Sequence, residues 1–260
     1  MTELEKQMLQ SANKKYHKGV LGRLFPKYKQ LTNTALLDIE ELEIKKIQLD
    51  SLMELKSLEN LKSLFFYNCT FGKKIAEETV VLEQVEELDF EGVWLEDLSV
   101  LKYFPNVTKL TFWEYGEKQT IHMKGIEYAP GIKRFYAVNT LFDELERMAV
   151  CKNMRWLELD NFLPEVNGKM KADYTFLNAF PQLLHIGLMT GDVEDVSFLE
   201  QNQKLNEILL SQNTGVKNVE RLASLKELKK LDLDDCKISK EEKKQYIKIF
   251  SYVEKLSIEN

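Results

Sequence analysis

Hydrophobic residues recur along the chain with a fixed spacing. An apolar residue is followed by another after three positions, by a third after two more, and by a small or apolar residue after a further three, as in Leu61, Leu64, Phe66 and Cys69. Ten copies of this pattern start at positions 39, 61, 85, 107, 132, 154, 183, 205, 228 and 253. Self-similarity at such a period is typical of a solenoid, whose units pack only against their neighbours.

Each copy also predicts a short strand. The second and third apolar positions of a unit, such as Leu64 and Phe66, lie two residues apart and therefore share one face of an extended segment. Stacked units bury that face by pairing their strands into a parallel sheet, while apolar residues of the connections close the core from the other side. We expect about ten short parallel strands, and little long helix outside residues 3–16 and 240–250.

The pattern LxxLxLxxN/CxL resembles that of the leucine-rich-repeat superfamily, and the period of about 22 residues resembles its internalin-like bacterial subclass. The resemblance covers residues 37 to 260, and residues 96–101, 125–130 and 219–225 are similar to the convex-side segments of that subclass. It implies an α/β repeat fold: a curved parallel sheet on the concave face, with short helical or irregular connections on the convex face.

The ninth position of each unit departs from this family pattern in about half of the copies. The family uses Asn, Cys or Thr there to bond the backbone of the adjoining turn. Four units conform, with Cys69, Thr140, Asn213 and Cys236. Five do not, and carry Ile47, Val93, Tyr115, Phe162 and Gly191. We therefore expect an irregular solenoid, in which Cys69 and Cys236 are buried, reduced packing residues and not nucleophiles.

The two ends of the chain carry patterns of their own. Residues 3–16 predict a helix with Leu4, Met8 and Ala12 along one side, and we assign residues 1–36 as an N-terminal helical cap and residues 37–260 as the solenoid. Ser239 and Glu242 form a capping-box pattern that predicts a helix over residues 240–250. Residues 253–258 follow as an edge strand.

The formal charge of −6 argues against nucleic acid or an anionic membrane as a partner of the whole molecule. One segment is nevertheless basic. It carries seven positive charges interleaved with aromatic residues, namely Lys6, Lys14, Lys15, Lys18, Arg23, Lys27 and Lys29 with Tyr16, Phe25 and Tyr28. Either it is the solvated face of the cap, or it contacts phosphate or an acidic partner. The first residues show no secretory leader and no stretch is apolar enough to span a membrane, so we expect a cytoplasmic protein.

No catalytic signature is present. The chain lacks the glycine-rich nucleotide motifs, the GxSxG elbow and the HExxH zinc motif. Its three histidines are far apart in the repeat frame, its three cysteines lack metal-ligand spacing, and alternate-position carboxylates such as Glu158 and Asp160 are expected on the solvent face. We expect no enzyme activity and no cofactor or metal.

The third, fifth and seventh positions of each unit are expected to point out of the concave side of the sheet. Over ten units they include 11 acidic and 5 basic residues; since the chain has 42 and 36, this leaves 31 of each elsewhere. The strip therefore carries the whole formal excess of negative charge. It also carries large aromatic residues, which are typical anchors of protein interfaces.

The strip yields the predicted partner-binding residues: Phe65, Tyr67, Glu87, Asp89, Glu91, Trp113, Tyr136, Trp156, Glu158 and Asp160. Packing of these rings on each other as cross-strand neighbours remains the alternative. The sequence favours a non-catalytic protein-interaction module that binds a basic, partly apolar protein on its concave face, such as a bacterial immunity or adaptor protein. The alternative is a nucleic-acid or membrane-surface adaptor that acts through the basic N-terminal segment; a secreted adhesin is disfavoured. The oligomeric state stays open.

Overall fold

In the computed structural model, ten strands form one parallel sheet, and each strand pairs with the next one along the chain. The structure describes residues 1–14, 27–116, 120–162, 165–166, 169–170, 174–191 and 193–259. The strands, which we number as units one to ten, are Glu41–Lys45, Ser63–Tyr67, Glu87–Glu91, Lys109–Trp113, Arg134–Val138, Trp156–Asp160, His185–Met189, Glu207–Leu209, Lys230–Asp232 and Lys255–Ser257. The predicted solenoid of about ten parallel strands is confirmed.

The strands pair in the predicted register. Glu41 lies opposite Ser63, which lies opposite Glu87, so that third positions stand beside third positions. The apolar fourth and sixth positions are buried beneath the sheet, and at the sixth position Phe66, Phe90 and Phe112 stack, with successive ring centroids 5.4 Å apart. This aromatic column holds units two to four together.

The convex side consists of short connections. Eight of them form 3-10 helices, at Met53–Ser57, Lys73–Glu77, Ser99–Tyr103, Ile126–Tyr128, Leu145–Val150, Tyr174–Ala179, Ser197–Gln201 and Val219–Ser224. Short strand pairs join Gln48–Leu49 to Thr70–Phe71, Thr120–His122 to Leu141–Asp143, and Glu165–Val166 to Lys169–Met170. The last of these pairs lies in the longest interval between unit starts, from 154 to 183, and part of that interval lies outside the described residues.

Most strands end in a left-handed residue at the eighth position of the unit. This residue has a positive φ in eight of the first nine units, at Lys46, Asn68, Gly92, Asn139, Asn161, Thr190, Gln212 and Asp235. Asn, Asp and Gly tolerate this backbone region best. At Gly92 a Cβ would also lie 2.2 Å from Oδ1 of Asn68, so that only glycine fits there. Unit four is the exception, since Glu114 has no positive φ.

Three of the four ninth positions that match the repeat bond the backbone of the preceding unit, whereas the Thr140 hydroxyl donates to the Val138 carbonyl of its own unit. Cys69 Sγ donates to the carbonyl of Ile44 at 3.2 Å, and Cys236 Sγ to that of Leu210 at 3.0 Å. Asn213 is fully buried and bonds carbonyls through its Nδ2 and backbone amides through its Oδ1. Burial raises the pKa of the Cys236 thiol to about 11. The predicted burial of Cys69 and Cys236 is confirmed, and neither forms a disulfide.

A helix covers the free edge of the unit-one strand. It spans Glu3–Lys14 and buries Leu4, Met8 and Ala12, as predicted; residues 15–26 lie outside the described ranges. Its Gln7 carboxamide donates to the Lys45 carbonyl at 3.0 Å and accepts from the Lys45 amide at 2.8 Å. The side chain thus takes the place of a neighbouring strand. A short helix, Asn33–Leu37, follows, and the domain boundary after residue 36 stays a prediction.

At the C-terminal end, a helix spans Lys240–Ile249 and is followed by the unit-ten strand. The predicted capping box is present, with Ser239 and Glu242 each bonding the backbone amide of the other. Within the described part of the chain, no helix is both long and apolar enough to cross a membrane.

Candidate functional site

All ten predicted site residues lie at third, fifth or seventh positions of the sheet and so share its concave face. They fall into two groups. One group occupies units two to five. The other begins at Trp156 in unit six and includes residues of units seven and eight that were not among the predicted site residues. The two groups differ in how their carboxylates are partnered.

We call the first group the aromatic-acidic patch. It consists of Phe65, Tyr67, Asp89, Glu91, Trp113, Tyr115 and Tyr136. Glu91 lies between Tyr67 and Trp113 in the sheet, and Asp89 lies beside Phe65. The Trp113 ring is 5.8 Å from that of Tyr115 and 5.9 Å from that of Tyr136. Partly exposed rings therefore flank two adjacent carboxylates.

Tyr115 joins the patch because the turn of unit four is irregular. It occupies a ninth position, which is buried in most units, yet it is 69% exposed. The Glu114 side chain accepts hydrogen bonds from the backbone amides of Tyr115 and Gly116, at 3.0 and 3.1 Å. This turn replaces the left-handed one and directs the Tyr115 ring over the concave face. The departure from the family pattern was visible in the sequence, but its consequence was not.

Burial and like charge disfavour ionisation of Asp89. Burial raises the pKa of Asp89 to about 6; the Glu91 charge adds to the rise, and Lys109 opposes it. Lys109 itself pairs with Glu87 at 3.1 Å. Among the described residues no group donates a hydrogen bond to the Asp89 carboxylate. Tyr115 lies near Glu91, and the pKa of Tyr115 is raised by desolvation and by the charges of Glu91 and Asp89.

The unit-one side of the patch carries both signs of charge, with Lys45 paired to Glu43 at 2.7 Å, and opens into a groove. The ammonium groups of Lys45 and Lys46 each lie 5.9 Å from the centroid of the Tyr67 ring. A groove of about 920 Å³ runs between the N-terminal helix and the unit-one strand, and Gln7 and Phe65 are among the residues that line it. The accessible surface of the patch thus continues toward the N-terminal end of the solenoid.

We call the second group the His185 cluster; it comprises Trp156, Glu158, His185 and Glu207. His185 is only 2% exposed. Its Nε2 lies 3.2 Å from the Glu158 carboxylate, and its Nδ1 lies 2.9 Å from the Glu207 carboxylate. Each ring nitrogen of His185 thus has a carboxylate within hydrogen-bond distance. The Trp156 ring stacks on the imidazole, with 3.5 Å between centroids and 5° between planes.

Gly187 makes this arrangement possible. It occupies the fifth position of unit seven, beside Glu158. A Cβ on Gly187 would lie 2.8 Å from Cγ of Glu158, so the missing side chain leaves room for Glu158 to reach His185. Glu158 also accepts from the Trp156 indole at 3.2 Å. Glu158 thus lies on the expected face of the sheet, but its carboxylate is bonded within the protein.

Two predicted residues lie where the groups meet: Asp160 beside the His185 cluster and Tyr136 at the edge of the patch. Asp160 accepts a hydrogen bond from Thr190 at 2.9 Å, and is thus also bonded within the protein. The pKa of Tyr136 is raised, first by burial and then by the charges of Glu158 and Asp160. Tyr136 therefore borders both groups.

The described residues contain no arrangement suited to nucleophilic catalysis. Within these ranges no serine or cysteine bonds a histidine: His122 pairs with Asp143 at 2.7 Å, and His185 contacts only carboxylates and an indole. A nucleophile needs a base within hydrogen-bond reach. What the concave face offers chemically is aromatic surface and negative charge.

The basic N-terminal segment is partly neutralised where it is described. Lys6 pairs with Glu3, Lys14 with Glu41, and Lys27 with Asp38, at 3.1 to 3.5 Å. Lys15, Tyr16, Lys18, Arg23 and Phe25 lie outside the described residues.

Trp94 is an exposed aromatic residue that was not among the predicted site residues. It is 71% exposed and lies beside a cavity of about 310 Å³, lined by residues that include Ile75, Val100 and Tyr103. Since it is at the tenth position of unit three, it lies outside the concave strip. This makes it a useful control for Trp113.

Comparisons with known proteins bear on the fold. No protein-family model and no curated protein matches the sequence. Among solved structures, internalin C2 of Listeria monocytogenes is similar over 98% of this chain and 93% of its own, with 15% identity and a TM-score of 0.53. A leucine-rich-repeat protein of Leptospira interrogans is similar over 80% of this chain and 58% of its own, with 15% identity and a TM-score of 0.50. The ten-strand parallel sheet and these likenesses together show that the chain has a leucine-rich-repeat fold of the internalin type.

Proposed function

We propose that the chain is a non-catalytic protein-interaction module whose concave face binds a protein with a basic, partly apolar surface. One observation carries the proposal: in the aromatic-acidic patch, accessible aromatic rings surround Asp89 and Glu91, which pair with no cation among the described residues. Large aromatic side chains dominate the binding energy of protein interfaces, and opposite charge steers the encounter. A bacterial immunity or adaptor protein is a concrete form of this function.

Capture from a lysate of the source cell tests the proposal when matched variants are compared. We expect the immobilised chain to retain a partner that Trp113→Ala loses and Trp94→Ala keeps, because both remove an accessible indole but only Trp113 lies in the patch. A photo-crosslinking residue in place of Tyr136 should form a covalent adduct with the same partner. Equal capture by both tryptophan variants would contradict a role for the concave face.

A further inference from the structure

Asp89 and Glu91 lie side by side in the patch without a compensating cation. Among the described residues neither forms an ion pair, and the closest basic residue in the next strand, Lys109, is paired with Glu87. The Tyr115 side chain lies near Glu91, whose carboxylate can accept several hydrogen bonds. A partly desolvated carboxylate without a partner is costly, and a cation from another molecule offsets that cost.

The aromatic rings beside these carboxylates indicate which class of cation would bind there. The Trp113 and Tyr115 rings are inclined by 36° and lie next to Glu91, and aromatic faces attract cations within about 6 Å. A guanidinium is planar, so it can stack on such a ring while its forked N–H groups bond two carboxylate oxygens. A lysine ammonium is compact and strongly hydrated and lacks the planar fork that bonds two carboxylate oxygens while stacking on a ring. Lys45 and Lys46 already occupy the surroundings of Tyr67, so the accessible approach is on the Trp113 side.

A metal ion fits these residues less well. Within the described ranges no group of three or more histidine, cysteine or acidic residues is arranged to hold one. Divalent cations of the calcium and magnesium type require several oxygen ligands around one point, and aromatic rings do not supply them. The surroundings favour an organic cation.

We propose that Asp89, Glu91, Trp113 and Tyr115 form a subsite for one arginine side chain of the partner protein. The inference rests on the proposed function of the concave face and specifies the group that enters it. The guanidinium bonds the two carboxylates and stacks on Trp113 or Tyr115.

N-acetyl-L-argininamide is a probe that tests the subsite on the intact chain. We expect it to shift the indole N–H resonance of Trp113, which is assigned by its loss in Trp113→Phe, with saturation in the millimolar range. The neutral isostere N-acetyl-L-citrullinamide, measured with NaCl to match ionic strength, should cause no saturable shift, and N-acetyl-L-lysinamide should bind more weakly. Equal responses to the arginine and citrulline probes, or no response to the arginine probe, would overturn the subsite.

Charge-removing variants locate the binding. Asp89→Asn and Glu91→Gln should each lower the affinity for the arginine probe roughly tenfold, since each removes a charge-assisted hydrogen bond. Asp232→Asn is the matched control, because Asp232 occupies the same fifth position in unit nine and already accepts from the Asp234 amide at 3.0 Å. Unchanged affinity in Asp89→Asn and Glu91→Gln would place the probe elsewhere and contradict the proposal.

Subsite and function can fail separately. If Trp113→Ala loses partner capture while the arginine probe does not bind, the interaction face stands and the arginine subsite is wrong. If the probe binds but Trp113→Ala captures the partner as well as the unmodified chain does, the proposed function is wrong, and with it the assignment of the arginine to the partner.

Discussion

Aromatic rings and carboxylates meet twice on the concave face, and their neighbours differ. In the His185 cluster, Glu158 and Glu207 contact a buried imidazole, and Trp156 stacks on it. In the aromatic-acidic patch, no described side chain forms an ion pair with Asp89 or Glu91. Residues of the same chemical types are therefore bonded within the protein in one place and lack such a partner in the other. The comparison teaches that composition of a surface strip does not by itself identify an interface.

Replacing the buried imidazole is the strongest way to break this comparison. His185→Ala should lower the free energy of unfolding by about 3 kcal/mol, because two carboxylates lose their shared partner and the Trp156 ring loses its stacking surface. His122→Ala is the control: His122 pairs with Asp143 at the surface, and its loss should cost less than about 1 kcal/mol. Urea denaturation of both variants measures the difference. Similar losses would mean that the His185 cluster is not structural.

Substitution of the two tryptophans on the concave face, Trp156 and Trp113, should also have different effects on stability. Trp156→Ala should reduce the free energy of unfolding by about 2 kcal/mol, because the Trp156 ring stacks on the buried His185 imidazole. Trp113→Ala should reduce it by less than about 1 kcal/mol, because the Trp113 ring packs on the exposed Tyr115 and the half-exposed Tyr136. Thermal unfolding followed by circular dichroism checks both values. Were Trp113→Ala the more damaging change, its ring would be a packing residue and the patch would lose its main anchor.

Removing the charge of Asp89 should stabilise the protein at neutral pH. Its pKa is about 6 in the folded state, against an ordinary value of 3.8, so the folded state holds the proton more tightly. The free energy of unfolding should therefore fall as pH rises from about 4 to 6. Above that range Asp89 is ionised, and its destabilising effect no longer increases. Asp89→Asn should therefore raise the free energy of unfolding by about 1 kcal/mol at pH 7, after allowance for partial solvent screening. Below pH 4 it should leave the free energy of unfolding unchanged.

Urea denaturation across this pH range, with Asp232→Asn as the control, measures the effect. If Asp89→Asn is more stable at pH 7 and also binds the arginine probe more weakly, then this residue lowers stability while contributing to binding. Destabilisation by Asp89→Asn at pH 7 would instead show that this carboxylate has a structural partner.

The smallest expected effect is on the rate of association. Glu87→Lys reverses a charge at the edge of the patch and should slow binding of a basic partner several-fold at low salt. The difference should shrink near physiological ionic strength, where screening acts over about 8 Å. Stopped-flow measurements at two salt concentrations test this. A change confined to the dissociation rate would place Glu87 within the contact and not at its rim.

The sequence predicted the backbone more completely than the site. The apolar period determines the strand register, and that register by itself places His185 beside Trp156, because both are third positions of adjacent units. It does not reveal that Glu158 reaches across to the imidazole, since this depends on the space above Gly187.

The irregular turn of unit four also could not be predicted in detail from the sequence. The non-matching Tyr115 signalled an altered turn, but the backbone path set by Glu114 decided that the ring lies on the concave face. Side-chain directions in irregular turns depend on contacts between segments distant in sequence, and a repeat pattern does not contain that information.

The Gln7 carboxamide also matters while the chain is being made. An uncovered sheet edge is a template on which other chains can assemble. Because Gln7 occupies the hydrogen-bonding groups of Lys45, the first strand is sealed as soon as the N-terminal helix docks. Ribosomal synthesis delivers this helix and unit one before all other units. A partly synthesised chain therefore presents one growing edge instead of two, and each newly emerged strand covers the one before it.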